Sequence, residues 1–263
     1  MGLSALQAAP HSPAKLSLKS ASALVLDQAT GQALLEKQAG AVQPIASLTK
    51  LMTAMVLLDA HLDPQEVLTI TRDDMDVLRH SRSRLPVGTR LPREQALLLA
   101  LLASENRAAH ALGRTFPGGL STFVQAMNTK AQALGLEEAK FEDPSGLSAG
   151  NVANAHDLAR IMEAAYRYPE IRDFTTRPET SIQAGRRSIQ FPNTNALVRS
   201  PRWNIGLSKT GYIEEAGRCL VMQAMLANRP VLIILLDSWG KYSRLGDANR
   251  IKQWLETRVG PKS

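Results

Sequence analysis

Residues 44–62, PIASLTKLMTAMVLLDAHL, place a serine and a lysine three positions apart at the start of an apolar segment. Residues three apart lie on the same face of a helix, so the Lys50 amine comes within reach of the Ser47 hydroxyl. The amine can then accept the hydroxyl proton as the serine attacks a carbonyl carbon. N–H groups at a helix start also point toward an anion formed there. The spacing therefore predicts a nucleophile and its base.

The serine-x-x-lysine pattern is weak alone, because residues 12–15 and 238–241 repeat it. Only Ser47 opens a helix-forming segment, and even there an ordinary first-turn serine is the commoner explanation. Two further motifs favour the catalytic explanation of Ser47 over the structural one. Residues 104–106, SEN, separate two helical runs, and residues 209–211, KTG, lie on a candidate strand where glycine lets a ligand backbone approach closely.

Each motif alone fits a polar break between helices or a strand end. The ordered set S-x-x-K, S-x-N and K-T-G is the signature of penicillin-binding proteins and class A β-lactamases, usually with aspartate in the second motif. The chain resembles the low-molecular-mass penicillin-binding proteins, which are serine D,D-peptidases. The likeness runs from about residue 20 to residue 259 and includes PIASLTKLMTA, FEDPSGLS, HDLARI and GLSKTGYIEEAGRCLVM. Glu105 replaces the aspartate, whereas Ser104 and Asn106 are retained.

The resemblance implies a site without metal or cofactor. Ser47 would attack the carbonyl between two D-alanine-type residues and form an acyl-enzyme that water hydrolyses. Lys50 must be neutral to accept a proton, and lowering its pKa from about 10.4 to ~7 or 8 costs roughly 3 to 5 kcal/mol. We expect partial burial and a nearby Lys209 ammonium to lower this pKa.

The implied site has three parts. They are a catalytic set of Ser47, Lys50, Ser104 and Asn106, a substrate-binding set of Lys209, Thr210 and Gly211, and an oxyanion hole from the backbone N–H groups of Ser47 and Tyr212. In the catalytic set, the second serine relays a proton to the leaving amine, and the asparagine bonds the substrate backbone and orients the base. The substrate-binding lysine and threonine receive a carboxylate or side-chain anion. Each oxyanion donor is worth about 3 to 4 kcal/mol in comparable hydrolases.

The elements that must position these groups follow from the hydrophobic pattern. Two alternating runs around Thr30-Gly31 predict a β-hairpin, and residues 47–61 predict a helix that ends before Pro64. From about residue 92 to residue 169 the pattern is helical, and Asn154 is suited to cap the last of these helices, with Asp157 in its first turn. The segments GLSKTGYI, RCLVMQAML and PVLIILLD predict strands, and an amphipathic helix follows them.

This order predicts an α/β (α+β) architecture in which strands from both ends of the chain share one antiparallel sheet flanked by helices. The resemblance implies the penicillin-binding/β-lactamase-like transpeptidase fold. We expect a single domain over residues 1–263, with a sheet subdomain at about 20–85 plus 185–263 and an inserted helical lobe at about 86–184. A cleft between sheet and lobe is the natural place for a site.

The amino-acid composition limits the classes of molecule that this protein could bind. The net charge of +7 and the pI near 9.7 suggest an anionic partner, such as nucleic acid, lipid headgroups or an acidic bacterial cell wall. Aromatic residues make up only 5% of the chain, which weighs against nucleic acid because bases need rings to stack on. No apolar run approaches the length of a transmembrane segment. Residues 1–15 lack an intact signal peptide, and we expect a periplasmic protein that begins at a mature N-terminus.

Several other polar groups favour structural explanations. The single Cys219 excludes an intrachain disulfide and a multi-cysteine metal site, and its β-rich surroundings indicate a core residue. His156 has no ligand partner at suitable spacing. A basic cluster in RHSRSRLPVGTR is typical of a solvated loop, although it could also hold anionic peptidoglycan. This cluster comprises Arg79, His80, Arg82, Arg84 and Arg90.

Four functions compete. The favoured one is a D-alanyl-D-alanine endopeptidase that cleaves peptidoglycan cross-links between stem peptides and that β-lactams inhibit covalently. GLSKTGYIEEAGRCLVM resembles that branch most, and the chain ends about fifty residues after K-T-G, without the added module and membrane helix of anchored carboxypeptidases. The alternative is a D-alanyl-D-alanine carboxypeptidase. A class A-like β-lactamase needs an E-x-x-L-N glutamate that is not found, and a non-catalytic β-lactam sensor usually carries membrane segments.

Overall fold

One sheet joins the two ends of the chain, as predicted. The protein is described by a computed structural model that covers residues 16–185 and 187–258. Its strands are β1 Ser20–Asp27, β2 Ala33–Lys37, β3 Gln43–Pro44, β4 Val67–Thr69, β5 Arg90–Pro92, β6 Val152–Ala153, β7 Glu179–Ala184, β8 Arg187–Pro192, β9 Ile205–Ile213, β10 Gly217–Leu226 and β11 Arg229–Ser238. Its α-helices are α1 Lys50–Asp59, α2 Arg93–Leu102, α3 Asn106–Arg114, α4 Gly119–Ala133, α5 Ala155–Ala165, α6 Pro169–Thr176 and α7 Ser243–Arg258.

The main sheet has the strand order β2-β1-β11-β10-β9, and every neighbouring pair is antiparallel. Strand β11 pairs with β1 in a register that places Leu24 opposite Ile234. Alternate residues of β11 pack against α5 on one face and against α7 on the other. Burial on both faces explains why PVLIILL is continuously apolar instead of alternating.

Helix α1 lies inside the larger of two hydrophobic clusters, and a 3-10 turn at Ala46–Thr49 precedes it. Its residues from Lys50 to Leu57 are all buried, so the helix is surrounded by protein on every side. The predicted helix over residues 47–61 is therefore confirmed, with a tighter first turn and an end two residues earlier. Its first turn lies beside β9, the edge strand of the sheet.

The helical middle of the chain agrees with the sequence pattern except at its end. Asn154 caps α5, with its side-chain oxygen accepting from the Asp157 N–H at 2.8 Å, as predicted. Helix α6 was not predicted, and Pro169 at its first position starts it after a break. The β7–β8 hairpin was also missed, because most of its side chains are exposed and the apolar alternation is sparse.

Candidate active site

The predicted base lies in direct contact with the predicted nucleophile. Lys50 Nζ is 2.8 Å from Ser47 Oγ, 2.8 Å from Asn106 Oδ1 and 2.5 Å from the Ser145 carbonyl oxygen. A neutral amine has two N–H groups and one lone pair. It can therefore donate to the Asn106 and Ser145 oxygens while its lone pair accepts the Ser47 proton. The three contacts fit the general-base form of the lysine.

Burial of the Lys50 side chain favours this neutral form of the amine. Lys50 has no exposed surface, and burial lowers the pKa of its amine to about 7, against the opposing charges of Asp143 and Glu105. The burial is complete and not partial as expected from the sequence. Lys209 was expected to lower the pKa of Lys50. Instead, the positive charge of Lys50 helps to lower the pKa of Lys209. Repulsion between the two amines disfavours a state in which both are charged.

The second serine faces the second lysine. Lys209 Nζ donates to Ser104 Oγ at 2.8 Å and to the Thr210 carbonyl at 3.0 Å. Burial, together with the charges of Lys50 and Arg244, holds the Lys209 pKa well below its ordinary value. The Thr210 hydroxyl donates to Thr194 Oγ1 at 2.7 Å. The structure thus brings all three motifs together, because Lys50 contacts Ser47 and Asn106 while Lys209 contacts Ser104.

Strand β9 passes close to the backbone of the serine turn, as the predicted oxyanion hole requires. A Cβ on Gly211 would lie 3.0 Å from the Ile45 carbonyl oxygen and 3.3 Å from the Ser47 nitrogen. Tyr212 follows directly on the strand, so its backbone lies near that of Ser47. Its ring is 56% exposed with the Arg218 guanidinium 4.6 Å from its centroid, so the side chain does not pack in the core.

The turn at residues 143–148, DPSGLS, supports Lys50 from the opposite side. The Asp143 carboxylate accepts from the backbone N–H groups of Ser145, Gly146 and Ser148 at 2.6, 2.8 and 2.8 Å. These bonds fix the turn, and the turn presents the Ser145 carbonyl to the lysine. The segment FEDPSGLS resembles a block of the penicillin-binding proteins, but its residues alone predict no function for it. The Asp-Pro-Ser-Gly turn signal was present, but it does not reveal which distant residue the turn contacts.

Two more contributors were missed. Asn106 Nδ2 donates to Ser81 Oγ at 3.1 Å, which fixes the amide so that its oxygen faces Lys50. Arg244 donates to the carbonyls of Gly211 and Cys219 at 2.8 and 3.1 Å, and it ties α7 to the K-T-G strand. Neither Ser81 nor Arg244 belongs to a short motif, so no spacing signal marks them.

The glycine in the 143–148 turn is required by space as well as by backbone geometry. Gly146 has φ +80°, and a Cβ there would lie 2.0 Å from the Ala46 carbonyl oxygen and 2.9 Å from the Ser47 nitrogen. We expect Gly146→Ala to displace the backbone at the nucleophile and to lower the free energy of unfolding by about 1 to 3 kcal/mol. Urea denaturation and the rate of penicillin acylation measure the two effects.

Gly88→Ala is the matched control. Gly88 has a similar φ of +89°, but a Cβ there would meet no atom within 4 Å, so the substitution adds backbone strain without a collision. Acylation should slow in the Gly146 variant and stay unchanged in the Gly88 variant. Equal rates in both variants would contradict the proposed contact with the nucleophile.

Other sequence-based expectations have simple outcomes. Cys219 is fully buried, and burial raises the pKa of its thiol to about 11, which agrees with a core residue. His156 is exposed at the surface, 4.0 Å from a Glu36 oxygen. The serine-x-x-lysine match at 238–241 begins at the end of β11, where Ser238 Oγ lies 2.6 Å from Ser20 Oγ. The match at 12–15 lies outside the described residues.

The serine held against a buried amine is suited to nucleophilic acyl transfer, and the second serine–lysine pair can supply a proton to a leaving group. The sequence profile of peptidase family S11, D-alanyl-D-alanine carboxypeptidase, matches residues 7–239. The chain belongs to this family.

Relatives and solved structures agree with this assignment. The chain is 45% identical over 247 residues to a D-alanyl-D-alanine endopeptidase of Pseudomonas aeruginosa, covering 93% of this chain and 80% of the relative. It is 40% identical to a D-alanyl-D-alanine endopeptidase of Escherichia coli, covering 91% and 78%. The crystal structure of the Streptomyces K15 DD-transpeptidase superposes with a TM-score of 0.83 at 26% identity, covering 90% and 97%. The predicted fold is confirmed.

Proposed function

We propose that this protein is a D-alanyl-D-alanine endopeptidase that cleaves peptidoglycan cross-links through an acyl-enzyme on Ser47. The observation that carries the proposal is the Lys50 amine, fully buried and 2.8 Å from the Ser47 hydroxyl. The high identity to two relatives with that name supports the choice of reaction. β-Lactams would acylate the same hydroxyl and inhibit the enzyme covalently.

Acylation begins when Ser47 Oγ attacks the scissile carbonyl carbon and Lys50 Nζ takes the hydroxyl proton. The carbonyl oxygen becomes an oxyanion, which the N–H groups of Ser47 and Tyr212 stabilise. The tetrahedral intermediate then collapses and the C–N bond breaks. The proton held by Lys50 passes through the Ser104 hydroxyl to the leaving nitrogen, which returns Lys50 to the neutral amine. Lys209 donates to that hydroxyl and orients it.

Deacylation repeats these steps with water as the nucleophile. Lys50, neutral again, accepts a proton from water while the water oxygen attacks the ester carbonyl. The ester bond breaks, Ser47 recovers its proton, and the product leaves as a carboxylic acid. Asn106 keeps the base in position throughout, through its 2.8 Å contact with Lys50 Nζ.

The site favours a peptidase over a β-lactamase. A class A β-lactamase uses an added glutamate to activate the water that releases the penicilloyl group. Here the carboxylates that act on the base are those of Asp143 and Glu105. Asp143 accepts hydrogen bonds from the backbone of its own turn, and Glu105 accepts from Ser83 and the Arg107 N–H. We therefore expect the penicilloyl adduct to persist.

The cellular setting follows from the substrate. Peptidoglycan lies outside the cytoplasmic membrane, so we propose a periplasmic location, with stem peptides and their cross-links as partners. Across residues 16–185 and 187–258, every helix is too short or too polar to cross a bilayer. The net charge of +7 suits an anionic polymer.

The proposed reaction is tested with two substrates. Purified cross-linked muropeptide dimers and uncross-linked pentapeptides are incubated with the enzyme, and mass spectrometry identifies the products. We expect dimers to be converted to monomers. Release of D-alanine with intact dimers would identify a carboxypeptidase, rapid multiple turnover of penicillin would identify a β-lactamase, and penicillin trapping without turnover of either peptide would identify a sensor.

A further inference from the structure

Part of the basic cluster at residues 79–90 lies beside the catalytic residues. Residues 81–84, SRSR, alternate between half-buried serines and exposed arginines. The serines bond to the second catalytic motif: Ser81 Oγ accepts from Asn106 Nδ2 at 3.1 Å, and Ser83 Oγ donates to Glu105 Oε1 at 2.6 Å. Because alternate residues of this segment are anchored inward, Arg82 and Arg84 project outward.

The two arginines line a cavity of about 240 Å³ together with residues of the site. Ser104, Asn106 and Thr194 line it on the side of the catalytic residues. Glu105 lines it too, with one carboxylate oxygen already accepting from Ser83 Oγ and the Arg107 N–H. Arg84 Nη1 donates to the Gln190 carbonyl at 3.0 Å, which leaves its other N–H groups for a ligand. Within the described part of the chain, no acidic side chain pairs with the Arg82 guanidinium. A larger cavity of about 500 Å³ lies at the far end of α1 and touches none of the three motifs.

The position of this cavity indicates which part of the substrate it would hold. Ser104 Oγ delivers the proton to the leaving nitrogen in the proposed mechanism, and Ser104 lines the cavity. Thr210, in the K-T-G motif, bonds Thr194 on the cavity wall. The cavity therefore adjoins the position of the leaving group in the proposed mechanism.

We propose that Arg82 and Arg84 form a subsite for carboxylates of the leaving peptide, and that this subsite favours cross-linked over uncross-linked substrates. The inference rests on the proposed endopeptidase function. A carboxypeptidase reaction expels a single D-amino acid, whose carboxylate lies next to the scissile bond. Cleavage of a cross-link expels a longer stem peptide with carboxylates farther away, which arginine guanidinium groups bind well.

This subsite also gives a function to the glutamate of the S-E-N motif. Glu105 caps α3 by accepting from the Arg107 N–H at 3.3 Å, and the same oxygen accepts from Ser83. An aspartate is one methylene shorter, so it would reach Ser83 less well while capping the helix. Glu105 and Ser83 are positioning residues in this proposal. They hold the arginine segment against the groove.

The test compares three reactions in each variant: cleavage of muropeptide dimers, release of D-alanine from pentapeptides and acylation by benzylpenicillin. In the R82A/R84A double variant we expect kcat/KM for dimers to fall about five- to tenfold. This is the loss expected when two exposed ion pairs, between the arginines and carboxylates of the leaving peptide, are removed. The other two rates should stay within about twofold of the wild type. High salt should lower dimer cleavage by the wild type and have less effect on the variant.

Arg90→Ala is the matched control, because Arg90 is an exposed arginine of the same basic cluster that does not line the cavity. It should leave all three rates unchanged. Ser83→Ala should reduce dimer cleavage and its salt dependence less than the double variant does. Equal losses in all three reactions, or unchanged dimer cleavage, would overturn the subsite alone. A wild-type enzyme that leaves dimers intact would overturn the proposed function as well.

Discussion

Ser47→Ala is expected to remove covalent labelling by benzylpenicillin and to lower peptide cleavage by about 10⁴-fold or more, as for other hydrolases that lose their nucleophile. The alanine methyl has no oxygen to form an acyl ester. Lys50 keeps its contacts with Asn106 and Ser145, so the fold should remain intact. Intact-protein mass spectrometry after incubation with penicillin detects the adduct directly.

A control for this experiment exists in the chain itself. The serine-x-x-lysine match at 238–241 has the same spacing but starts at a strand end, away from α1. Benzylpenicillin should therefore label the Lys241→Ala variant at the wild-type rate. Labelling that persists in Ser47→Ala would show that another group is acylated, and the mechanism above would be wrong.

The pH dependence of acylation is expected to report the Lys50 amine. With a pKa of about 7, the neutral fraction of Lys50 is about 1% at pH 5 and close to one above pH 9. The rate of penicillin acylation should therefore rise by about 100-fold between these limits and level off above pH 8. Stopped-flow measurements between pH 5 and 9 determine the profile.

Lys50→Arg is the sharpest comparison for this profile. Arginine keeps the positive charge but does not lose its proton in proteins, so it cannot serve as the base. We expect no measurable acylation at any pH in this range. A variant that is acylated with an unchanged pH profile would assign the titration to another group.

The same pKa shift predicts how stability depends on pH. The Lys50 pKa falls from 10.5 in the unfolded chain to about 7 in the folded protein, so the unfolded state binds more protons between these values. The free energy of unfolding should then rise with pH, by about 1.4 kcal/mol per pH unit for this one group. Lys50→Met should show a smaller slope than wild type in urea denaturation from pH 7.5 to 9, and Lys241→Ala an unchanged one. Identical slopes would contradict the shift.

Much of the fold was predictable because its elements carry strong local signals. The β1–β2 hairpin has alternating strands around a Thr-Gly turn, and α1 has an apolar pattern at helical spacing. The shared sheet followed from strands at both ends of the chain. The β7–β8 hairpin has few buried side chains, and α6 follows α5 after only a short break, so neither gave a distinct signal.

The catalytic residues were predictable from local sequence motifs, whereas their surroundings were not. Ser47, Lys50, Ser104 and Lys209 lie in recognisable motifs, and the structure brings them into hydrogen-bonding contact. Their environment depends on residues distant in sequence, whose contacts no spacing rule encodes. The completeness of Lys50 burial is the clearest case, because it requires helices, a turn and the sheet edge to close around one amine.

The order of the strands along the chain has a consequence for truncated forms of the protein. The Ser47 segment comes before β9, β10 and β11 in the chain, yet β1 pairs with β11, and β9 lies against the serine. A polypeptide that stops before β9 contains Ser47 and Lys50 but lacks the strand that carries Lys209 and the edge that covers the serine turn. Intact motifs near the N-terminus are therefore not sufficient for a working enzyme, which also needs the last three strands.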